Sequence, residues 1–519
     1  MKTWMLQRAP LLQCRSLLQC RSLLRPRRWV KLKMLLGVAL AALPVCLSGC
    51  IFQSSHQRAF QEFSGKLPEP VAIQYPQPEM WQIDNGLKVM FIRDDELPMV
   101  SGALFLKGGI FHAEESEYRS LDAMGEMLRF GGTKKLSAEQ LDVRLRELAA
   151  SISSGYSAEF GKVSFNSLSV DLDQVFALFT DVLLHPRFDE KRLEVLKTQF
   201  LESIRRSDDD PNSIASITSN YLLYRKSPFG SVSESSDVEQ LNRLALLRAH
   251  RRYVRPDGAV LVITGDVSRD EVDKLVTKYL SKWTPRGSLL PEPKRNIEVA
   301  PPGIYFVEGN HTQAVIQMVQ AGPERHTEDK YAISLLNSIL GDGLDSRLAK
   351  KIRADLGLAY VVYGFVSPGY QEGKNTLFIQ TKSESAYDAL ERAFDELDLI
   401  RNAAPSAEEL AVVQHAAQSG FVFRFTSPGQ VLERMVLLDY FNYPADYDEA
   451  YVDNIFAVSR DAVSSAANRW WNLSELRIVV VGNSEAIAEI KRNAGSSPYL
   501  SQYTMRDLAF DEIPKEKEL

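Results

Sequence analysis

Apolar positions in this chain switch repeatedly between the strand and the helical period, and they do so twice in a similar order. Residues 258–277 (GAVLVITGDVSRDEVDKLVT) open with a continuous apolar run, turn at Gly265-Asp266 and go on with apolar positions three and four apart. That pattern predicts a buried strand, a tight turn and an amphipathic helix. Residues 475–491 (ELRIVVVGNSEAIAEIK) repeat it, with Gly482-Asn483 at the turn. Residues 117–129 and 330–340 read as helices, each followed by a Gly-containing turn and another helix. Alternating stretches follow at 161–170 and 374–381, and further helices at 172–184 and 386–401. Within the segment 121–130, Leu121, Met124, Met127 and Leu128 form one apolar face, the signature of a helix packed into a core. Mixed strands and helices with Gly turns predict an α+β fold, and the repeated order predicts a duplication.

Punctuation divides the chain. Pro285, Pro291, Pro293, Pro301 and Pro302 cluster near its middle and leave halves of similar length. The expected domains are 76–288 and 303–519, joined by a linker at 289–302. Near the N-terminus, the 14-residue apolar stretch Met34 to Leu47 follows Arg25, Arg27, Arg28, Lys31 and Lys33, as in a signal peptide. It ends in Leu47-Ser48-Gly49-Cys50, which resembles a bacterial lipobox and predicts lipidation at Cys50. The alternative is an ordinary signal peptide with a chance cysteine. The expected organisation is therefore a lipoprotein signal peptide at 1–49 and a polar tether at 50–75. Ile51 is not an acidic retention signal, so the expected location is the periplasmic face of the outer membrane.

Composition narrows the function. The cysteines are Cys14, Cys20, Cys46 and Cys50, so the mature chain keeps only Cys50 and forms no internal disulfide. The first 49 residues carry nine of the 61 basic side chains and no acidic one, leaving 52 basic against 67 acidic residues, a formal charge of −15. That balance argues against nucleic acid as a partner. Within the leader, Leu-Leu-Gln-Cys-Arg-Ser occurs twice in tandem, at 11–16 and 17–22, and carries no functional weight.

Local patterns then point to a family. Residues 81–91 (WQIDNGLKVMF), Leu106-Lys107-Gly108-Gly109, Ser227-Pro228-Phe229-Gly230 and the stretch Tyr253 to Val267 follow one another in order between residues 81 and 267. Together they resemble the insulinase/pitrilysin family of inverted-motif zinc peptidases. The resemblance implies two homologous insulinase-like α/β-sandwich domains in tandem.

The family's zinc helix carries H-x-x-E-H, in which two histidines at i and i+4 face one ion and the glutamate serves as general base. Here Ala123 and Met127 stand at the histidine positions and Glu126 at the glutamate. Alanine has no donor, and a thioether is a soft ligand poorly matched to zinc. The third ligand of the family falls on Ser203, or on Glu202 if the register slips by one. The seven histidines (56, 112, 185, 250, 311, 326, 415) form no pair at helical ligand spacing. No cofactor is expected in this chain, and Glu126 reads as a relic or a structural hydrogen-bonder.

Residues 340–360 (LGDGLDSRLAKKIRADLGLAY) closely resemble another family segment. In two-chain bacterial members, the subunit without zinc supplies an Arg and a Tyr from this segment, seven residues apart, to a shared chamber. Arg353 and Tyr360 have that spacing. Arg353 would end a helix, Gly357 suits a C-cap, and Tyr360 would begin a strand. The implied roles are hydrogen bonds to the substrate backbone and to a developing oxyanion.

Three functions follow. The first is a zinc-less subunit that pairs with a zinc-bearing homologue, or with a second copy of itself, to degrade peptides. The second is a non-catalytic assembly or binding lipoprotein that uses the fold as a scaffold. The third is a peptidase active alone through an unusual site.

Overall fold

Apolar runs separated by tight turns build two six-stranded sheets. The computed structural model describes residues 77–513, apart from 226, 228, 231–233, 286–289, 291–296 and 371–372. The expected signal peptide, Cys50, the tether and half of the linker (289 and 291–296) lie outside the described residues. Residues Ile73–Leu519 form one compact unit.

In the N-terminal half, β1 (Glu79–Gln82), β2 (Lys88–Arg93), β3 (Met99–Lys107), β4 (Ser151–Tyr156), β5 (Phe160–Leu168) and β6 (Val260–Gly265) lie in the order β1-β2-β6-β3-β5-β4. In the C-terminal half, β7 (Gly303–Glu308), β8 (Gln313–Gly322), β9 (Ala359–Ser367), β10 (Gly373–Lys382), β11 (Arg477–Gly482) and β12 (Met505–Asp507) lie in the order β12-β7-β11-β8-β10-β9. Five strands correspond one to one. The pairs β2/β6 and β7/β11 are parallel, and the remaining equivalent pairs are antiparallel. Register fixes sister positions: Met99 pairs Leu168 as Gln313 pairs Lys382. Only the outer edge differs, since β1 adds antiparallel to β2 whereas β12 adds parallel to β7.

The helices repeat in step. The N-terminal half has α1 (Tyr118–Phe130), α2 (Ala138–Glu147), α3 (Leu172–Leu184), α4 (Glu190–Asp209), α5 (Pro211–Leu223), α6 (Ser235–Glu239), α7 (Arg243–Tyr253) and α8 (Arg269–Leu280). The C-terminal half has α9 (Lys330–Leu340), a π-helix (Ala349–Asp355), α10 (Ala386–Asn402), α11 (Ala407–Phe421), α12 (Pro428–Tyr440), α13 (Tyr451–Ala457), α14 (Arg460–Trp470) and α15 (Ser484–Asn493). The duplicated order expected from the sequence is present, as two domains of mixed helices and sheets in tandem.

One face of each sheet is covered by helices of its own half. The other face is covered by a helix from the opposite half. From α5, Ile214, Ala215, Tyr221 and Leu222 pack on Val315, Phe378, Val479 and Val481 of the C-terminal sheet. From α12, Val431, Leu432 and Val436 pack on Met90, Phe105, Val260 and Val262 of the N-terminal sheet. Both lent helices start from a polar cap followed by proline: Asp210 accepts from the Ser213 N–H, and Ser427 from the Gln430 N–H. Proline at the first helical position sacrifices no intrahelical hydrogen bond, and the cap satisfies an orphan donor.

The segment expected to be a linker ends pinned rather than free. Glu298 bridges Arg225, and buried Ala300 donates its N–H to the Leu222 carbonyl at 2.7 Å. Among the described residues, no helix is long and apolar enough to cross a membrane.

Candidate functional site

α1 carries Ala123, Glu126 and Met127, the positions expected from the resemblance to correspond to the zinc motif. Leu121, Ala123, Met124, Met127 and Leu128 are fully buried in the N-terminal core. The helix is held hard against β4, since a Cβ on Gly125 would lie 2.7 Å from the Tyr156 nitrogen. Ser154 inserts its hydroxyl here, donating to the Gly125 carbonyl at 2.6 Å and accepting from the Arg129 N–H at 3.1 Å. The N-terminus of α1 is anchored as well. Glu117 accepts from the Tyr253 hydroxyl at 2.9 Å and from Arg252 at 3.0 Å. Burial pushes the phenols of Tyr156 and Tyr253 well up, so both stay neutral.

Glu126 points the other way, into solvent. Partial desolvation raises its pKa, and the charge of Asp122 one turn earlier raises it further. Asp122 is also shifted up by burial, against the pull of Arg119 at 3.1 Å. The sequence reading did not single out Asp122, and only its position four residues before Glu126 could have flagged it.

Ser203 is exposed on α4, and its carbonyl accepts from the Ser207 hydroxyl. Glu202 is exposed too and pairs with Arg205 at 2.9 Å. Ala123 and Met127 are thus sealed in the core, while Glu126, Glu202 and Ser203 face solvent. These residues do not fit zinc, because the donors that remain are carboxylates on the outer surface and the inner positions offer none. Among the described residues, no group of three or more His, Cys, Asp or Glu side chains is placed to hold a metal ion.

The second segment is arranged differently. Its first turn is closed by the Ser346 hydroxyl donating to the Gly343 carbonyl at 2.8 Å. Arg347 makes a two-pronged pair with Glu409 of α11, at 2.9 and 3.0 Å, and is largely buried. Leu348, Ala349 and Ile352 bury one side of the turn. Arg353 was expected to end a helix; it lies in the last turn of the π-helix Ala349–Asp355, where the Leu356 N–H reaches back five residues to Lys351. Wide turns of this kind recur at functional sites. Gly357 adopts φ +63°, the left-handed conformation that a helix terminator needs. β9 begins two residues later, on the sheet edge.

Arg353 is exposed and makes no ion pair with a described residue. Tyr360 is 48% exposed at the start of β9. Thus one arginine of the motif is committed to the fold while Arg353 and Tyr360 leave their polar groups available to an outside molecule.

Where loops of the two halves meet lies a cavity of about 450 Å³, lined by Lys107, His112, Glu159, Arg325, Tyr370 and Phe441 among others. Arg325 pairs with Glu159 across the junction and lies 3.7 Å from the Phe441 ring centre. The sequence reading had no signal for this pair.

A duplicated α/β unit with a reciprocal helix exchange, in which the expected ligand helix is packed with apolar side chains, defines the class of scaffold that the comparisons identify. The chain belongs to the insulinase family, peptidase family M16. Residues 88–230 match the profile described as insulinase (peptidase family M16), and residues 240–417 the one described as peptidase M16 inactive domain. An uncharacterized zinc protease of Mycobacterium tuberculosis is 24% identical over 314 residues, covering 60% of this chain and 72% of the relative. A Helicobacter pylori protein called non-peptidase homolog YmxG is 21% identical over 413 residues, covering 77% and 93%. The structure of a peptidase M16 inactive domain from Pseudomonas fluorescens shares the fold with a TM-score of 0.71 and 22% identity, covering 79% of this chain and 99% of that one. The periplasmic protease PqqL of Escherichia coli shares it with a TM-score of 0.68 and 17% identity, over 79% of this chain and 47% of that one.

Proposed function

We propose that this protein is a zinc-less M16 subunit that pairs with a zinc-bearing homologue and lends Arg353 and Tyr360 to a shared peptide-binding chamber. The observation that carries the reading is the contrast inside one motif. Arg347 is neutralised by Glu409 and tucked away, so the demands of the fold account for it. They do not account for Arg353 and Tyr360, which hold a guanidinium and a phenol in solvent. A cationic fork and a hydroxyl suit the backbone carbonyls of a bound peptide and the negative charge that develops when its amide is attacked. PqqL matches this chain over 47% of its own length, which leaves room for a second unit of similar size in that single chain. The partner here would supply that second unit, with zinc and the general base. A second copy of this chain brings no such ligands. Anchoring through Cys50 in the bacterial envelope belongs to the same proposal.

The test mixes the purified chain with an H-x-x-E-H homologue from the same cell and follows cleavage of a quenched fluorescent peptide. Activity of the mixture should exceed that of either chain alone, and Arg353→Ala should lower kcat/KM at least about 10-fold, below the usual effect of losing an oxyanion donor. Unchanged activity with Arg353→Ala refutes the assignment.

A second reading is favoured by the filled ligand helix: the chain is a binding or assembly lipoprotein. It predicts capture of envelope proteins, no zinc-bearing homologue among them, and no effect of Arg353→Ala on that capture.

A further inference from the structure

At the end of the N-terminal sheet where β1 begins, four apolar side chains stand in solvent. Leu97 is 64% exposed, Met99 42%, Leu168 37% and Val170 86%. They are contiguous. Met99 and Leu168 are direct cross-strand partners. The Ser169 N–H donates to the Pro98 carbonyl at 3.0 Å, which joins the two turns that carry Leu97 and Val170. The internal duplication supplies a control for what the fold requires. By register, the sister positions are His311, Gln313, Lys382 and Glu384, none of them apolar. The apolar cluster is therefore specific to this half and is not needed to close the sheet. Contiguous exposed apolar surface of this kind marks an interaction site.

Its rim is acidic. Asp94, Asp95 and Glu96 precede Leu97, Asp171 follows Val170, and Asp266 donates its N–H to the Met99 carbonyl. The nearby basic side chains are already paired, Arg93 with Asp95 at 3.2 Å and Arg269 with Glu79 at 3.7 Å. The charge selects the occupant. An anionic lipid surface would be repelled by these carboxylates. A protein segment whose apolar side chains are bracketed by lysine or arginine would be attracted and oriented by them. We propose that Leu97, Met99, Leu168 and Val170 form the docking surface for a basic amphipathic segment of a partner protein. The surface is separate from the Arg353/Tyr360 segment, so it stands whether or not that segment contacts substrate.

The experiment uses the mature chain and a variant that carries the sister-half residues, Leu97→His, Met99→Gln, Leu168→Lys and Val170→Glu. The sister half shows that this sheet geometry tolerates such residues, and thermal melting confirms that the variant is folded. The probe is a fluorescent amphipathic helix built from leucine and lysine, with a leucine/glutamate helix of the same pattern as control. The leucine/lysine helix should bind, slow amide exchange in residues 94–100 and 167–171, and bind the variant at least about 10-fold more weakly, a change of about 1.4 kcal/mol. The leucine/glutamate helix should not bind. Equal binding to both proteins, or protection elsewhere only, overturns the proposal. So does patch-dependent binding to vesicles of phosphatidylethanolamine and phosphatidylglycerol, or patch-dependent self-association, since each would name a different occupant.

Discussion

Placing zinc ligands at the positions expected from the resemblance should not create a zinc site. The variant is Ala123→His/Met127→His/Ser203→Glu. Both helix positions are fully buried, and α1 is tied to β4 by the Ser154 hydroxyl, which donates to the Gly125 carbonyl and accepts from the Arg129 N–H. The methyl group of Met127 is equally confined, lying 3.0 Å from where a Cβ on Gly131 would sit. An imidazole at position 123 overfills the core, at about 1–3 kcal/mol. Its ring nitrogens also lose water without gaining partners, at about 1–3 kcal/mol more. The exchange of a flexible thioether for a polar ring at position 127 costs a similar amount. The pair thus loses about 4–12 kcal/mol, comparable with the whole net stability of about 5–15 kcal/mol expected of a folded protein. Zinc could offset this only if three donors converged, and position 203 faces solvent while the others face the core. Thermal unfolding with and without zinc, together with metal analysis of the purified variant, measures the outcome. The expected result is a strongly lowered or absent transition and substoichiometric zinc. A variant that melts like the parent and holds one zinc per chain refutes the argument that the helix is sealed.

Three further outcomes follow from the packing. Lys374 donates to Ser219 at 2.8 Å and to Asn220 at 2.7 Å, and burial lowers its pKa to about 8. Because the folded value lies below the unfolded one, the unfolded chain holds an extra proton between pH 8 and about 10.4, and this site's contribution to stability rises with pH across that window. Denaturant melts should show wild type gaining about 1–3 kcal/mol from pH 8 to 10 relative to Lys374→Met; an unchanged difference refutes it. Arg325→Ala should cost about 3–5 kcal/mol, because it leaves Glu159 partly buried without its cation. A double-mutant cycle with Glu159→Gln checks this, and a coupling below about 0.5 kcal/mol would leave the cross-junction pair without a role. Gly341→Ala should abolish folding or cost several kcal/mol, since its Cβ would lie 2.1 Å from the Gly364 nitrogen; a parent-like melting curve would exclude that close approach.

Much of this architecture is local, and locality made it legible. The strand–turn–helix units at Gly265-Asp266 and Gly482-Asn483 depend on period and turn chemistry alone, and both are present. The buried face of α1 was readable because its apolar residues recur at helical spacing. The count to Ser203 gave a place on α4 but not the rotation of that helix, which is set by Leu193 and Leu196 turning into the core. The helix exchange was illegible for a different reason. α5 interleaves Ile214, Tyr221 and Leu222 with Ser216, Ser219 and Asn220, which reads as a partly solvated face. Those polar positions in fact meet Gln317 and Lys374 of the other half. The π-helix was missed because Leu348, which precedes it, and Ile352 within it keep the i, i+4 spacing of an ordinary turn. The docking surface depends on which strands pair, so its four residues are scattered until the sheet forms.

The exchanged helices also bear on how the chain is made. The N-terminal sheet reaches its last strand at Gly265, yet its covering helix comes only at Pro428–Tyr440. A nascent chain released between those points presents Met90, Ile92, Ala103, Phe105, Val260 and Val262 to its surroundings. Apolar strands left open in this way are what chaperones hold and what aggregation consumes. Vectorial synthesis therefore cannot finish the first half before the second begins. Truncated transcripts and proteolytic nicks near the central prolines should yield sticky remnants rather than soluble pieces.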